Sequence, residues 1–467
     1  MSAGSSSNPA LIVIFGITGD LSKKYLMPAL YHLVKNEILN PKTRIIGVSR
    51  KEVSVASLYE NLHLDQNQTE ENFDKDALKQ LQSITQMQQL DLANSVDYIN
   101  LKQLLDELED AAGTCMDRLF YLSVPPAAYP GIIKNLGESK LNSGCQHASG
   151  ASRILVEKPF GYNLESASRL IQETSEYFKE EQIFRIDHYV AKETVQNILT
   201  FRFQNHIFDA EWNNQHISKI EVIAKEKIGI AGRAVFYEPL GALRDFIQSH
   251  LLQILGIILM EKPAALTSDL IHENKTIALK KLQPVDADKV ESVTVRGQYD
   301  SYRNEVNNSD SKTETFAAIK IYSTDTKWQD VPFYLVTGKG LDERKTEVKV
   351  TFKTANDEPE NSLIFRIVPN EGIELDLATK KPGYGGELIK TAMDFSYADD
   401  LKSDGHPNAY ERVLVDAIKG DHTLFATSDE VLASWRVVEP VINSWQNNNP
   451  SLQIYKLGSN GPDISSL

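Results

Sequence analysis

The feature that most constrains the fold is an apolar run that ends in glycine and passes directly into a helical pattern. The run is LIVIFG at residues 11–16. The next segment has a helical pattern, in which Leu26, Leu30 and Leu33 lie roughly on one face. A short, continuous apolar run that ends in glycine is typical of a buried parallel strand. A strand followed at once by a helix predicts a βα unit.

Similar runs recur in the first part of the chain, separated by charge-rich helical patterns. They are TRIIGVSR, DRLFYLSVPP and SRILVEKP, at residues 43–50, 117–126 and 152–159. Strands that alternate with helices predict a parallel sheet with right-handed crossovers. We therefore predict a tail at residues 1–10, which we expect to be disordered, and an α/β Rossmann-like N-terminal domain at residues 11–187.

The pattern changes after about residue 215. Seven segments from ISKIEVIAKE to IELDLAT alternate β-branched and polar residues, with short polar links between them. This alternation is typical of an antiparallel sheet with one covered face. We predict an α+β C-terminal domain at residues 188–467 with a large, mostly antiparallel sheet.

Composition excludes several classes of protein. The 467-residue chain has a net charge of −15, which argues against nucleic-acid binding. Its first residues lack the basic and apolar regions of a secretory signal, and the apolar run at residues 251–260 is too short to span a membrane. Cys115 and Cys145 are the only cysteines. Two cysteines in a chain of this length form neither a disulfide framework nor a zinc site. We expect no bound metal and a cytoplasmic location.

The segment FGITGDLSKK has the features of a phosphate-binding loop. Gly16 permits a tight turn, Gly19 lets the backbone approach a pyrophosphate, and the small Ser22 allows the helix and strand to pack closely. The spacing is G-x-x-G, so a plain turn is the alternative interpretation. The position directly after the first strand of a βα unit favours dinucleotide binding.

The end of the second predicted strand indicates which dinucleotide binds. A site for NAD usually places Asp or Glu there to hold the ribose 2′-hydroxyl. The first charged residues here are Arg50 and Lys51, and a guanidinium can clamp a 2′-phosphate with two charge-assisted hydrogen bonds. The pattern favours NADP over NAD, and two solvated surface charges are the alternative.

Motifs in order along nearly the whole chain resemble the glucose-6-phosphate dehydrogenase family. RIDHY followed by Lys and Glu is the family signature and stands complete at residues 185–193. The other matches are GITGDL, FYLSVPP, EKPFG, AKEKIG, LRDFIQSHLLQ, VRGQY, GKGLDERKTEV, TKKPG and AYERVLVDAI. The resemblance implies oxidation of glucose 6-phosphate at C1 by NADP, in a homodimer or homotetramer.

The signature predicts a phosphate site. If Asp187 caps a helix, His188 and Lys192 lie four residues apart on one face with Tyr189 beside them. Amide groups and the positive end of the helix dipole would then attract the phosphate of the substrate. An exposed start of an amphipathic helix is the alternative that the residues alone leave open.

The resemblance assigns the chemistry to three residues. His250 matches the family's catalytic base, and Asp187 matches the carboxylate that orients the imidazole. Without the resemblance, His250 would be interpreted as a packed core histidine. Lys158 matches the lysine that reaches both substrate and cofactor, and the family pattern makes the Lys158–Pro159 peptide cis.

The remaining site residues also come from the resemblance. Glu226 and Asp245 match carboxylates that accept sugar hydroxyls. Lys339 matches the family's further phosphate contact, and Arg344 is a second candidate for that role. The predicted cofactor-binding residues are Gly16, Thr18, Gly19, Asp20, Leu21, Arg50 and Lys158.

The chain departs from the family pattern at several positions. Tyr25 replaces a basic residue of many relatives, Val368 stands where animal enzymes often have Gln, and Ala234 and Val235 replace a Gly-Gly pair. The chain ends in GSNGPDISSL, without the longer segment that helps hold a second NADP in animal members. We therefore expect only the catalytic cofactor.

Two other functions compete with this interpretation. Oxidoreductases of the glucose–fructose oxidoreductase type also join a Rossmann domain to an antiparallel sheet and carry EKP, but they lack RIDHYxxKE. A catalytically inactive dinucleotide sensor would have lost the base or its partner. His188 and Lys192 argue against the first, and the presence of Asp187 and His250 argues against the second.

Overall fold

The computed structural model describes residues 8–60, 73–145, 150–354, 359–400 and 407–467. Most of the predicted N-terminal tail lies outside these ranges. The chain divides into two compact units: the first comprises residues 1–161, 168–191 and 407–428, and the second comprises residues 162–167, 192–406 and 429–467. The division at Ala191 and Lys192 lies four residues beyond the predicted boundary, and the first unit takes in a segment from near the end of the chain.

The first unit is built on a seven-stranded sheet. Its strands are β1 (Ala10–Phe15), β2 (Arg44–Ser49), β3 (Thr85–Gln89), β4 (Asp117–Leu122), β5 (Ser152–Val156), β6 (Ile183–Ile186) and β15 (Phe425–Ala426). The order is β15-β6-β5-β4-β1-β2-β3, and every pairing is parallel except that of β15 with β6. This is the predicted Rossmann-like arrangement.

Helices alternate with these strands, as the sequence predicts. They are α1 (Met27–Lys35), α2 (Val55–Tyr59), α3 (Lys75–Ser83), α4 (Ser95–Ala112), α5 (Tyr129–Glu138), α6 (Leu164–Ser175) and α14 (Ala409–Lys419). A π-helical turn, Ser22–Leu26, precedes α1. All six residues of β1 are fully buried, because β2 and β4 flank it and helices cover both faces.

The second unit is built on a nine-stranded sheet. Its strands are β7 (Ile217–Lys225), β8 (Thr294–Tyr299), β9 (Phe316–Ile321), β10 (Phe333–Gly338), β11 (Lys345–Phe352), β12 (Ser362–Val368), β13 (Gly372–Lys380), β14 (Leu388–Ser396) and β16 (Gln453–Tyr455). The order is β14-β13-β12-β11-β7-β10-β9-β8-β16. Among the described strands of this second sheet, only the β7–β10 and β8–β16 pairs are parallel. The predicted large, mostly antiparallel sheet is therefore confirmed.

The helices of the second unit include the segment that carries the predicted base. They are α7 (Glu193–Gln204), α8 (Ala234–Tyr237), α9 (Leu252–Leu259), α10 (Ser268–Lys280), α11 (Val290–Val293), α12 (Tyr302–Glu305), α13 (Tyr397–Asp400) and α15 (Ser428–Gln446). A π-helical segment, Leu243–Leu251, runs directly into α9. Every residue of α9 is buried, which agrees with the apolar run being a core helix.

Cys115 and Cys145 form a disulfide with a Cα–Cα distance of 5.6 Å. The pair links the start of β4 to the segment that leads into β5. Sequence analysis found no signal for this bond across a separation of 30 residues. The expectation of a cytoplasmic location rested in part on the cysteine count, and this disulfide removes that support.

The described part of the chain contains no helix that is both long and apolar enough to cross a membrane.

Candidate active site

The phosphate-binding loop lies at the carboxyl end of β1. Gly16 has a φ of +78°, and a Cβ on it would come within 2.3 Å of the Ser123 carbonyl oxygen, so only glycine fits there. The Gly19 amide donates to the Gly16 carbonyl at 2.9 Å, which closes the turn. The Ser22 hydroxyl is buried and lies 3.1 Å from the Gly16 carbonyl oxygen and 2.9 Å from the Ser123 hydroxyl.

A cavity of about 920 Å³ opens above this loop, at the carboxyl ends of β1, β2 and β4. Gly16, Thr18, Gly19 and Arg50, four of the residues predicted to bind the cofactor, line it. None of the described residues that line this cavity is Asp or Glu, and Lys51 lies beside Arg50. Asp20 is exposed and Leu21 is half-buried at the turn that leads into the π-helical segment.

Tyr25, which stands where many relatives have a basic residue, makes an aromatic contact. Its ring stacks on that of Tyr410 in α14, with centroids 5.0 Å apart and planes at 14°. Tyr25 remains 50% exposed. The substitution therefore replaces a charge beside the loop with a contact to the helix contributed from near the end of the chain.

The Glu-Lys-Pro corner follows β5. The Lys158–Pro159 peptide is cis, as the resemblance implies. The buried Glu157 accepts a hydrogen bond of 2.5 Å from the Tyr121 hydroxyl, and its carbonyl accepts one of 3.1 Å from Tyr129. Burial raises the pKa of Glu157 to about 7 against the opposing effects of Tyr121 and Lys158, with Asp187 adding to the rise. Glu157 was not among the predicted site residues, although its place beside Lys158 in EKP was a usable signal.

Asp187 caps a turn and not a helix. Its Oδ1 atom accepts hydrogen bonds from the amides of Tyr189 at 2.9 Å and Val190 at 3.3 Å. The next helix, α7, begins only at Glu193. The predicted helix through Asp187 and Lys192 is therefore wrong, because the Asp187 side chain satisfies the amides of an isolated turn. Asp187 is 4% exposed, at the end of β6.

His188 and Tyr189 lie within that turn. Their ring centroids are 5.0 Å apart, and both side chains are half-buried. Lys192 lies immediately before α7, at its N-cap position. The signature residues therefore occupy a turn and a helix start, which differs from the single helical face that we predicted.

Lys192 lies in a mixed electrostatic environment within the second unit. Burial lowers the pKa of its amine to about 8, and Arg344 adds to this effect while Glu371 opposes it. The repulsion shows that Lys192 and Arg344 occupy the same electrostatic neighbourhood. Arg344, another predicted phosphate contact, thus acts electrostatically on Lys192, and so does Glu371, a residue that sequence analysis missed.

Lys339, Glu226 and Asp245 form a charge cluster in which Lys339 and Asp245 are buried and Glu226 is partly exposed. Glu226 follows β7 and Lys339 follows β10, which are paired parallel strands, so both side chains arise at the same end of the sheet. The Lys339 amine pairs with Glu226 and lies 3.5 Å from Asp245 Oδ2. The rings of Tyr237 and Phe246 lie within 5.2 Å of the same amine, a geometry for cation–π contacts.

His250 lies five residues beyond Asp245 in the segment Leu243–Leu251. It is 1% exposed, and the Phe246 ring meets its imidazole edge-on with centroids 5.6 Å apart. The second unit therefore holds a buried imidazole on the same helical segment as a carboxylate of the charge cluster. The described residues contain no group of three or more His, Cys, Asp or Glu side chains that could hold a metal ion.

Two families of known domains cover almost the whole chain. "Glucose-6-phosphate dehydrogenase, NAD binding domain" matches residues 13–197, and "Glucose-6-phosphate dehydrogenase, C-terminal domain" matches residues 199–466. The chain belongs to the glucose-6-phosphate dehydrogenase family. The resemblance inferred from the motifs is confirmed.

Individual members of the family match over nearly their full length. A glucose-6-phosphate 1-dehydrogenase of Aggregatibacter actinomycetemcomitans is 40% identical over 97% of this chain and 94% of its own. A solved structure described as glucose-6-phosphate dehydrogenase in complex with its substrate glucose-6-phosphate has a TM-score of 0.90 and 34% identity, over 98% of this chain and 96% of that one. A glucose-6-phosphate 1-dehydrogenase from Mycobacterium avium has a TM-score of 0.83 and 31% identity, over 97% and 96% of the two chains.

Proposed function

We propose that the chain is a glucose-6-phosphate 1-dehydrogenase that oxidises D-glucose 6-phosphate at C1 to 6-phospho-D-glucono-1,5-lactone with NADP. The reaction is the first step of the oxidative pentose phosphate pathway. The observation that carries the proposal is the match over nearly the whole chain to glucose-6-phosphate dehydrogenases, one of them solved with glucose 6-phosphate bound. We assign Lys192 and Arg344 to the phosphate of the sugar because they are basic groups of the second unit in a chain whose net charge is −15, and an anionic ligand needs such local positive charge.

The phosphate is bound by a set of unlike donors. Lys192 and Arg344 supply positive charge, while His188 and Tyr189 supply an imidazole and a phenol from the preceding turn. Charge-assisted hydrogen bonds to phosphate are about twice as strong as neutral ones. Such a set distinguishes a sugar phosphate from the free sugar, because the free sugar has no phosphate to accept these hydrogen bonds.

The hexose hydroxyls are selected by the charge cluster of Glu226, Asp245 and Lys339. Carboxylates accept hydrogen bonds from hydroxyls, and the amine of Lys339 holds the two carboxylates in place. Lys339 is 3% exposed, so it contributes most by fixing this arrangement. Its assignment as a phosphate contact stays a prediction.

The proton of the C1 hydroxyl is removed by His250. A neutral imidazole accepts the proton as the hydride leaves C1, and Asp187 orients the ring and stabilises the imidazolium that forms. Lys158 contributes a positive charge that contacts both the sugar and the cofactor. The nicotinamide, when bound, supplies the acceptor for the hydride.

The large cavity of the first unit fits a dinucleotide. Its volume of about 920 Å³ and the close approach at Gly16 suit a pyrophosphate against the backbone. The described lining contains Arg50 and Lys51 but no carboxylate. A carboxylate would favour the 2′-hydroxyl of NAD, so this lining supports NADP.

Exposed apolar side chains on β14 support a homo-oligomer. This strand is at one end of the nine-stranded sheet, and Leu388 is 45% and Met393 64% exposed. An exposed edge strand with apolar side chains is a surface that natural proteins cover. We propose a dimer or tetramer that covers this strand, in the cytoplasm.

The direct test is absorbance at the reduced-nicotinamide band. Glucose and galactose, each with and without the 6-phosphate, are assayed against NADP and NAD. We expect turnover with glucose 6-phosphate and NADP to exceed that with glucose by several orders of magnitude in kcat/KM. Equal rates for glucose and glucose 6-phosphate would contradict the proposed phosphate site.

A further inference from the structure

A second cluster of positive charge surrounds a separate cavity of about 240 Å³ in the second unit. Arg244, Arg296 and Lys312 line this cavity, and Glu314 is the acidic residue among the described residues that line it. Trp445 forms an apolar wall, with its ring centroid 5.7 Å from the Arg296 guanidinium carbon. In a chain of net charge −15, this is a local excess of positive charge.

Arg296 is fixed by neutral acceptors. Its Nε, Nη1 and Nη2 atoms donate to the Pro450 carbonyl, the Trp445 carbonyl and the Asn448 amide oxygen at 2.8, 2.9 and 2.7 Å. The residue is 2% exposed. These contacts use three of the five guanidinium hydrogens and place no negative charge against the cation.

Arg244 is held in a similar way at the start of the π-helical segment. Its Nε donates to the Tyr162 carbonyl at 2.9 Å, and its Nη1 donates to the Leu240 carbonyl at 3.2 Å. Lys312 is exposed at the cavity, and its amine has neither a hydrogen bond nor an ion pair with any residue in the described ranges. Arg244 and Lys312 thus keep donors for a ligand.

Glu314 does not neutralise this cluster through a direct ion pair. It is 5% exposed, and its Oε1 atom accepts the Leu243 amide at 3.0 Å. Burial raises the pKa of its carboxyl, while Arg244 and Arg296 oppose the rise. Even as a carboxylate it supplies one negative charge against three cations.

We propose that this cavity binds a small tetrahedral oxyanion, inorganic phosphate or sulfate, between Lys312 and Arg244. Charge-assisted hydrogen bonds from two cations suit an ion with two negative charges, and the buried Arg296 adds a fixed positive charge behind it. The cavity has about a quarter of the volume of the cofactor cavity, so a second dinucleotide does not fit inside it.

The test compares three full-length proteins: the parent, Lys312→Glu and Lys289→Glu. Lys289 is a matched control because its side chain is 70% exposed and lies outside the cavity lining. The melting temperature of each is measured against sulfate concentration at constant ionic strength, since a ligand of the folded state raises Tm in a saturable way. All three proteins are measured with saturating glucose 6-phosphate and NADPH, which occupy the proposed substrate and cofactor sites, so the effect of sulfate reports on the cavity.

We expect the parent and Lys289→Glu to show the same sulfate midpoint and Lys312→Glu a midpoint at least about ten-fold higher. Crystals of the parent soaked in selenate should show a selenium anomalous peak about 4 Å from the donor nitrogens of Lys312 and Arg244, because an oxygen atom lies between selenium and each donor. Equal midpoints in the three proteins would overturn the proposal. A cavity without selenium in the soaked crystal would overturn it as well.

Discussion

The amine of Lys339 lies 3.5 Å from Asp245 Oδ2 while it also pairs with Glu226. One buried cation thus holds two carboxylates that would otherwise repel each other. Asp245 lies in the first turn of the helical segment that carries His250, so this charge cluster fixes both the proposed sugar contacts and the position of the base.

Replacement of Lys339 by Met should therefore lower stability and weaken sugar binding together. Removal of one partner of a buried ion pair costs about 3 kcal/mol, at the lower end of the usual range because Glu226 is a third exposed. Denaturant unfolding and KM for glucose 6-phosphate measure the two effects. Lys339→Arg keeps the charge and serves as the control, and unchanged stability in Lys339→Met would contradict the cluster's role.

Lys192→Ala should raise KM for glucose 6-phosphate by about 10- to 100-fold, the effect of losing one charge-assisted hydrogen bond. Turnover of unphosphorylated glucose should hardly change, because the lost contact binds only the phosphate. Lys227→Ala removes an exposed amine of the same unit and serves as the control. An equal loss for glucose and for its phosphate would show that Lys192 supports the fold and does not bind the phosphate.

The pKa of Lys192, lowered to about 8, predicts a pH dependence for the parent enzyme. The amine is charged below this pH and loses its proton above it, so KM for glucose 6-phosphate should rise as pH increases beyond about 8. The sugar phosphate itself is a dianion above about pH 6. Steady-state kinetics from pH 6 to pH 10 should show this rise in the parent and not in Lys192→Ala.

Arg50→Ala should raise KM for NADP by about 10- to 100-fold and leave NAD unchanged or improved, because only NADP carries the 2′-phosphate. Lys79→Ala, an exposed lysine of the first unit, is the control. Cofactor titrations with NADP and with NAD give the two constants. If both cofactors weaken alike, Arg50 supports the fold instead of binding the 2′-phosphate.

Glu157 should make stability depend on pH between about 4.5 and 7. Its folded-state pKa of about 7 exceeds the ordinary value of 4.5, so the folded state binds more protons in this window and loses stability as pH rises through it. The difference corresponds to ~3 kcal/mol. Glu157→Gln cannot ionise and should lack this loss, whereas the exposed control Glu176→Gln should keep it. Parallel pH profiles of unfolding free energy in the parent and in Glu157→Gln would refute the assignment.

Sequence patterns were sufficient to predict strands whose burial produces a continuous apolar run. The buried strands β1, β2, β4 and β5 read as apolar runs because both faces are covered. β3 has the sequence TQMQQ and was missed, since it is an edge strand with β2 as its neighbour in the sheet. Edge strands need no continuous apolar run, so periodicity does not reveal them.

Other features depend on contacts between distant parts of the chain. Nothing local in residues 407–428 shows that they join the first unit, where β15 pairs with β6. The same holds for the disulfide across 30 residues. We predicted a helix at Asp187, where the structure has a turn, because an Asp side chain caps both kinds of structure. Which of the two forms depends on where α7 can start.

The roles of His250 and Asp187 are the centre of the account. His250→Asn keeps a similar volume and a hydrogen-bonding tip but removes the ability to accept a proton. The dissociation constant for glucose 6-phosphate should therefore move little, while turnover should fall by about 10² to 10⁴ or more. Asp187→Asn should also lower turnover and should shift the controlling ionisation to lower pH, because the imidazolium loses its stabilising charge.

The most direct measurement is the pH–rate profile of kcat/KM for the parent and His250→Asn, with substrate binding titrated in parallel. We expect an acid limb in the parent, where a protonated imidazole cannot act as base, together with near-parent binding and strongly reduced turnover in His250→Asn. Near-parent turnover in that variant, or an acid limb that persists unchanged without the imidazole, would contradict this expectation.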